Sequence, residues 1–332
     1  MVPFEMLSPS SNFGATGRHK FLIEAKTISY VTSGREVARL AGNPKSEARS
    51  PNSLVIGGPD FDLDLAKAGS SRREEALAQV PQPDSKQSLL TSAATRTLSR
   101  DYRGIKFPPL PGAEAEARSV AELLGGDCVL RVGAEACEAE LKAAVSPRVL
   151  HLATHGFFLS DQEFRPHPGP LPSDGRGWPA GRGRASAGDQ WENPLVRCGI
   201  ALAGANHAGP LMNALAEDGL LTGLEASLLN LQGTELVILS ACDSGTGEVQ
   251  IGEGVMSLRR AFRIAGAQTV LASHWKVSDK ATRQLMTEFI RRWRSGELRA
   301  KAWREAQLSL LHTNEFQNPY FWAAFTLTGQ WQ

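Results

Sequence analysis

Thr234-Glu-Leu-Val-Ile-Leu-Ser-Ala-Cys-Asp-Ser-Gly-Thr-Gly247 is the stretch whose reading decides the fold. Leu236, Val237, Ile238 and Leu239 form an unbroken apolar run, as expected of a strand buried on both faces of a parallel sheet. Ser240 and Ala241 follow, then Cys242, then a polar, Gly-rich turn. A cysteine there sits just past the carboxyl end of a central strand, where open α/β sheets place their chemistry. Alone this is ambiguous, because free cysteine is among the most buried residue types. Val149-Leu-His-Leu-Ala-Thr-His155-Gly156 supplies a second apolar strand, again ending in a reactive side chain and a glycine. Two strand ends, one with His and one with Cys, are the parts of a thiol nucleophile and its base.

The bulk properties narrow the setting. A chain of 332 residues can bury a large core, and 42% hydrophobic with 21% charged residues is ordinary for a globular protein. A net charge of +1 argues against bulk attraction to nucleic acid or to an anionic membrane. No apolar run reaches a membrane span, and the N-terminus lacks the basic and apolar regions of a signal peptide. Cys128, Cys137, Cys198 and Cys242 form no C-x-x-C pair and no finger-like spacing with His. The expectation is a cytoplasmic protein without disulfide framework, metal or cofactor.

Outward from the two strands the pattern alternates. Strands are expected at Thr27–Thr32, Leu54–Asp60 (with its turn), Cys128–Val132, Cys198–Gly204, Thr269–Ser273 and Phe325–Leu327. Helices are expected from Glu114, with Ala117, Val120, Ala121 and Leu124 on one face, and at Glu138–Ala144, Leu220–Leu229 and Gly254–Ala265. Residues 280–310 read as two amphipathic helices around Gly296; eight Lys/Arg against three Glu over 280–305 are taken as solvated faces. Residues 65–105 are polar and aperiodic, an insertion; Phe164–Gln190, rich in Gly, Pro and Arg, reads as a long mobile loop open to proteolytic nicking. Strands alternating with helices predict an α/β fold with a mainly parallel central sheet and helices on both faces.

The chemistry has competitors. His151 and His155 have zincin spacing without the glutamate after the first His, on a segment that reads as strand. No P-loop, dinucleotide fingerprint or G-x-S-x-G elbow occurs. His151, Ala153 and His155 share one face of their strand, and His155 is expected at its end. Spacing alone also fits a core cysteine and a satisfied core histidine. The glycine after His155 and the S-A-C-x-x-G turn favour the dyad, because both set backbone N–H groups beside the reactive atoms. Gly156 N–H and Cys242 N–H are the expected oxyanion donors.

Several motifs in order carry a resemblance: His151-Leu-Ala-Thr-His155-Gly156-Phe157, Asn193-Pro-Leu-Val-Arg197, Gly199-Ile-Ala-Leu-Ala-Gly204, Glu217-Asp-Gly-Leu-Leu-Thr222, Leu239-Ser-Ala-Cys242-Asp-Ser-Gly245 and Ser273-His-Trp-Lys-Val-Ser-Asp279. Together they resemble the CHAT domain, a caspase-like group of cysteine peptidases related to separases. The resemblance is dense over about 108–329. It implies a caspase-hemoglobinase fold, with residues 1–107 as the N-terminal portion and 108–332 as the catalytic core. It further implies peptide-bond hydrolysis, with His155 and Cys242 matching the family's catalytic residues. Family members often carry helical repeats and act in bacterial immunity or regulated cell death; this chain has none, so a separate sensor or activator protein is expected, or a longer parent chain. By analogy with caspases and separases, Lys276 after Trp275 is expected in the pocket for the residue before the cut, favouring a neutral or acidic one. Asp218, Asp243 and Asp279 are the candidates that would reverse that preference. The alternative is a catalytically silent module of the same fold that binds peptides or partner proteins.

Overall fold

Among the described residues the apolar runs form eight strands: β1 (Ser53–Pro59), β2 (Cys128–Gly133), β3 (Val149–Phe158), β4 (Cys198–Ala201), β5 (Leu220–Thr222), β6 (Leu236–Asp243), β7 (Thr269–Ser273) and β8 (Phe325–Gly329). The structure, a computed structural model, describes residues 21–31, 52–64, 105–159, 194–207, 218–243, 253–275 and 278–330, with only the backbone at 241–243 and 253–257. The strand order is β2-β1-β3-β6-β7-β8; β1, β2, β3, β6 and β7 run parallel and β8 antiparallel. β4 pairs antiparallel with the far end of β3, and β5 with β4.

The described helices are α1 (Pro111–Leu124), α2 (Glu138–Lys142), α3 (Gly223–Ala226), α4 (Glu253–Ile264), α5 (Asp279–Arg294), α6 (Arg299–Leu311) and α7 (Pro319–Trp322). One sheet face, with Val55, Val149, Leu236, Ile238 and Leu271, packs on Ala117, Val120 and Leu124 of α1 and on α5 and α6. The other, with Ile56, Leu150, Leu152, Val237, Leu239 and Val270, packs on Leu258, Ala261 and Phe262 of α4. β6 has core on both faces, which is why it reads as a continuous apolar run rather than an alternating one. No described helix is long and apolar enough to cross a membrane.

Several expectations are corrected. Thr27–Thr32 is not a strand among the described residues: Leu22–Glu24 is a 3-10 turn and Tyr30 makes one isolated bridge to Thr328. Leu220–Leu229 is not one helix; Leu220–Thr222 pairs with β4, and Thr222 then caps the short α3 through a reciprocal bond pair with Glu225. The Thr hydroxyl accepts from the Glu225 N–H while the carboxylate takes the Thr222 N–H, so the helix starts there. The Cys198–Gly204 strand ends at Ala201, and β8 runs past Leu327 to Gly329. His155 does not end its strand, because β3 runs on to Phe158 by recruiting β4 as a new partner.

The basic helices are not simply solvated. Arg299 is buried and donates to the Glu235 carbonyl and Thr269 Oγ1, and Arg304 donates to the carbonyls of Ile23 and Glu24. Arg291 and Arg292 share Glu288, which fits the exposed-face reading. The 65–105 insertion, Ile105 apart, and the Phe164–Gln190 segment lie outside the described residues.

Candidate active site

β3 and β6 are neighbours, and their parallel register pairs His155 with Cys242 directly. The pairing follows from the two apolar runs: Val149 meets Leu236 at the start, and a shared rise per residue keeps the strands in step for eight pairs. At the next step Asp243 pairs with Gly156, Gly156 with Ile200 of β4, and Ile200 with Leu221 of β5. The backbone of Gly156 and Cys242 is thus strand backbone within the β3/β6 ladder.

The imidazole of His155 is only 2% exposed. Its Nε2 lies 2.8 Å from the Pro108 carbonyl oxygen. A carbonyl only accepts, so Nε2 carries the proton and Nδ1 is the basic atom of the neutral ring. The rings of Phe61 and Phe107 flank it at 5.1 and 5.8 Å between centroids. Phe107 also meets Phe157, and these rings form a small apolar cluster with Ala201, Ala205 and Leu220. Pro108 and the two phenylalanines escape sequence reasoning, because main-chain contacts and aromatic residues in coil leave no periodic signal.

His151, four residues earlier, has a different environment. Its Nε2 is 3.0 Å from Glu116 Oε1 of α1 without hydrogen-bond alignment, and Ser240 Oγ donates to Glu116 Oε2 at 3.1 Å. All three lie within the fold, so His151 is an internal tie between α1 and the sheet. Glu116 was detectable as a charge on the apolar stripe of Ala113, Ala117 and Val120.

The other predicted residues are dispersed. Asp218 precedes β5 and accepts from the Leu220 N–H at 2.9 Å. It belongs to a buried acidic cluster in which Glu138 accepts from the Gly219 N–H and from Lys142, and Lys142 also reaches Glu225. Burial, then the Glu138 carboxylate, pushes the Asp218 carboxyl up to about 8. Burial would push Lys142 down, but the carboxylates of Glu138 and Glu225 outweigh it and hold the ammonium above its ordinary range. Asp279 is the exposed first residue of α5 and packs on Gly112. Lys276 and the side chain of Asp243 lie outside the described residues.

Before Lys276, His274 is buried with Nε2 3.0 Å from both Arg259 and Thr326 Oγ1. Burial and then the Arg259 charge push its imidazole down to about 3, so it is neutral. Among the other thiols, burial pushes Cys128 up to about 11 and Cys198 up to about 12, which makes both poor nucleophiles at neutral pH. No group of three or more His, Cys, Asp or Glu among the described residues is arranged to hold a metal ion.

Comparison with known proteins matches the CHAT domain over residues 1–330. Tetratricopeptide repeat protein 28 of Mus musculus is 31% identical over 228 residues, which are 67% of this chain and 9% of that protein. Its Homo sapiens counterpart is 30% identical over 227 residues, 67% of this chain and 8% of that protein. The chain therefore spans less than a tenth of the length of these relatives. The family match takes in the whole α/β sheet, the helices on both its faces and the paired positions 155 and 242, and the chain belongs to the CHAT domain family, whose fold is caspase-like.

Proposed function

We propose that this protein is a cysteine endopeptidase acting through Cys242 and His155. The observation that carries the reading is the direct His155–Cys242 register of two adjacent parallel strands. The Pro108 contact supports it by leaving Nδ1 as the base. His155 Nδ1 takes the thiol proton of Cys242, and the thiolate sulfur attacks the scissile carbonyl carbon. The imidazolium returns that proton to the departing amine as the C–N bond breaks, leaving a thioester. A water, deprotonated by His155, then hydrolyses the thioester and restores the thiol.

Gly156 and Cys242 N–H are the oxyanion donors in this reading. Regulation, a separate activator protein and a role in immunity or cell death are carried over from the family. Lys276 favours a neutral or acidic residue before the cut, and profiling on a peptide library reads this directly.

A second reading, a module that binds peptides without cutting them, is favoured by the near-complete burial of His155. An electrophilic peptide probe separates the two. Covalent labelling of Cys242 together with cleavage of a peptide library supports the peptidase, and reversible binding with neither outcome sinks it.

A further inference from the structure

We propose that Asn206 is a positioning residue for His155, acting by gripping both backbone polar groups of Phe107; this rests on the dyad reading. Asn206 lies in the 3-10 turn Ala205–His207 that follows β4. Its Oδ1 accepts from the Phe107 N–H at 2.8 Å, and its Nδ2 donates to the Phe107 carbonyl at 3.0 Å. The carboxamide thereby stands in for a strand neighbour, offering an acceptor and a donor in one plane. The remaining Nδ2 proton goes to Asp62 Oδ1 at 2.8 Å, which fixes the amide's orientation, since a carboxylate only accepts.

The main chain of Asn206 extends the grip. Its N–H donates to the Phe61 carbonyl at 2.9 Å, and its carbonyl accepts from Lys106 Nζ at 2.7 Å. One residue thus ties down the two segments that surround the imidazole. Phe61 and Phe107 flank the ring, and Pro108, the next residue after the gripped peptide, accepts its Nε2–H. Residues 105–110 belong to no helix or strand, so side-chain hydrogen bonds, with the packing of Phe107, set their position. Releasing the grip lets the Phe107 peptide rotate, and the Pro108 carbonyl turns with it. Catalytic groups tolerate displacements of only about 0.5 Å.

The test uses the full chain labelled with 15N-histidine. The His155 signal, one of seven histidines, is identified by its loss in His155→Gln. In the wild type, long-range proton–nitrogen spectra show the neutral ring protonated at Nε2. Asn206→Asp keeps size and acceptor, loses the donor and sets a carboxylate against Asp62. It shifts His155 toward a mixture of tautomers, and kcat on a cleaved peptide falls about tenfold or more while KM stays within about threefold. A folded Asn206→Asp with the wild-type tautomer and kcat overturns the proposal. If that variant does not fold, hydrogen exchange at the Phe107 amide of the wild type decides: protection supports the grip and free exchange overturns it. A tautomer shift in a protein whose wild type cleaves nothing sustains the grip and removes the peptidase reading instead.

Discussion

The Nε2–H of His155 donates to the carbonyl oxygen of Pro108 at 2.8 Å, forty-seven positions earlier in the chain. The bond is to main chain, so the side chain at 108 is dispensable to it. Pro108→Ala should keep peptide cleavage within about tenfold of the wild type, whereas His155→Ala should lose about a hundredfold or more. Equal losses in the two variants, measured as kcat/KM, would assign the role to the proline ring rather than to its carbonyl.

Cys242→Ala should abolish cleavage, and adding His155→Ala should lower it no further, because the members of a catalytic unit do not contribute additively. The raised Cys128 and Cys198 thiols compete poorly for an electrophilic peptide probe, so Cys242 is expected to label ahead of both. Mass spectrometry of the labelled peptide checks this. Labelling that survives Cys242→Ala would move the nucleophile elsewhere.

The acidic cluster around Lys142 gives stability a pH dependence. Asp218 is raised from 3.8 to about 8, so it binds its proton more tightly folded than unfolded. Its contribution is complete below its unfolded value and is lost as pH rises toward the folded one. His274 has the opposite sign: depressed from 6.5 to about 3, it contributes above pH 6.5 and loses that contribution as pH falls. Unfolding midpoints taken between about pH 6.5 and about pH 8, above the His274 range, should therefore drop in the wild type and drop less in Asp218→Asn. Identical slopes would exclude Asp218 as the source.

Lys142→Met should be more damaging than any change to the exposed pairs of α5. It strands Glu138, 1% exposed at its side chain, and Glu225 without their cation. Breaking such a buried pair costs about 3 kcal/mol, against roughly 0.5 kcal/mol for an exposed pair such as Lys280–Glu315. Denaturant titration of Lys142→Met and Lys280→Met gives the comparison, and equal losses would refute it.

Gly57→Ala tests how closely α1 lies on β1. An added Cβ would stand 2.3 Å from Ala117 Cβ and 2.9 Å from the Ala113 carbonyl oxygen. The helix must move off the sheet, at about 1–3 kcal/mol. An unfolding midpoint equal to that of the wild type would show that α1 adjusts freely.

The sheet was legible wherever burial made a strand apolar throughout, as in Leu236–Leu239 and Leu54–Ile56. It was misread where pairing came from a distant partner. Leu220–Thr222 is three residues long and is a strand only because β4 lies beside it. Tyr30 has strand-forming neighbours but meets the sheet at a single residue. His155 and Cys242 stood out because each is a reactive side chain late in an apolar run, His155 directly before glycine and Cys242 before a polar, Gly-rich turn. Pro108, Phe107 and Asn206 did not, since their roles depend on contacts across roughly half a hundred to a hundred positions that no local period encodes.

β3 changes partner along its length, parallel to β6 as far as Gly156 and antiparallel to β4 from Gly156 to Phe158. The second pairing closes a stem at Phe158–Cys198, sealed by the Leu159 N–H on the Arg197 carbonyl. Whatever sequence runs between the two sides of that stem is joined to the sheet at fixed, already paired ends. Doubling its length would add only about 0.6 kcal/mol of closure entropy. The closure of that join is thus nearly indifferent to its length, which makes it the position at which to test inserted tags or foreign cleavage sites with the pairing beside His155 left in place.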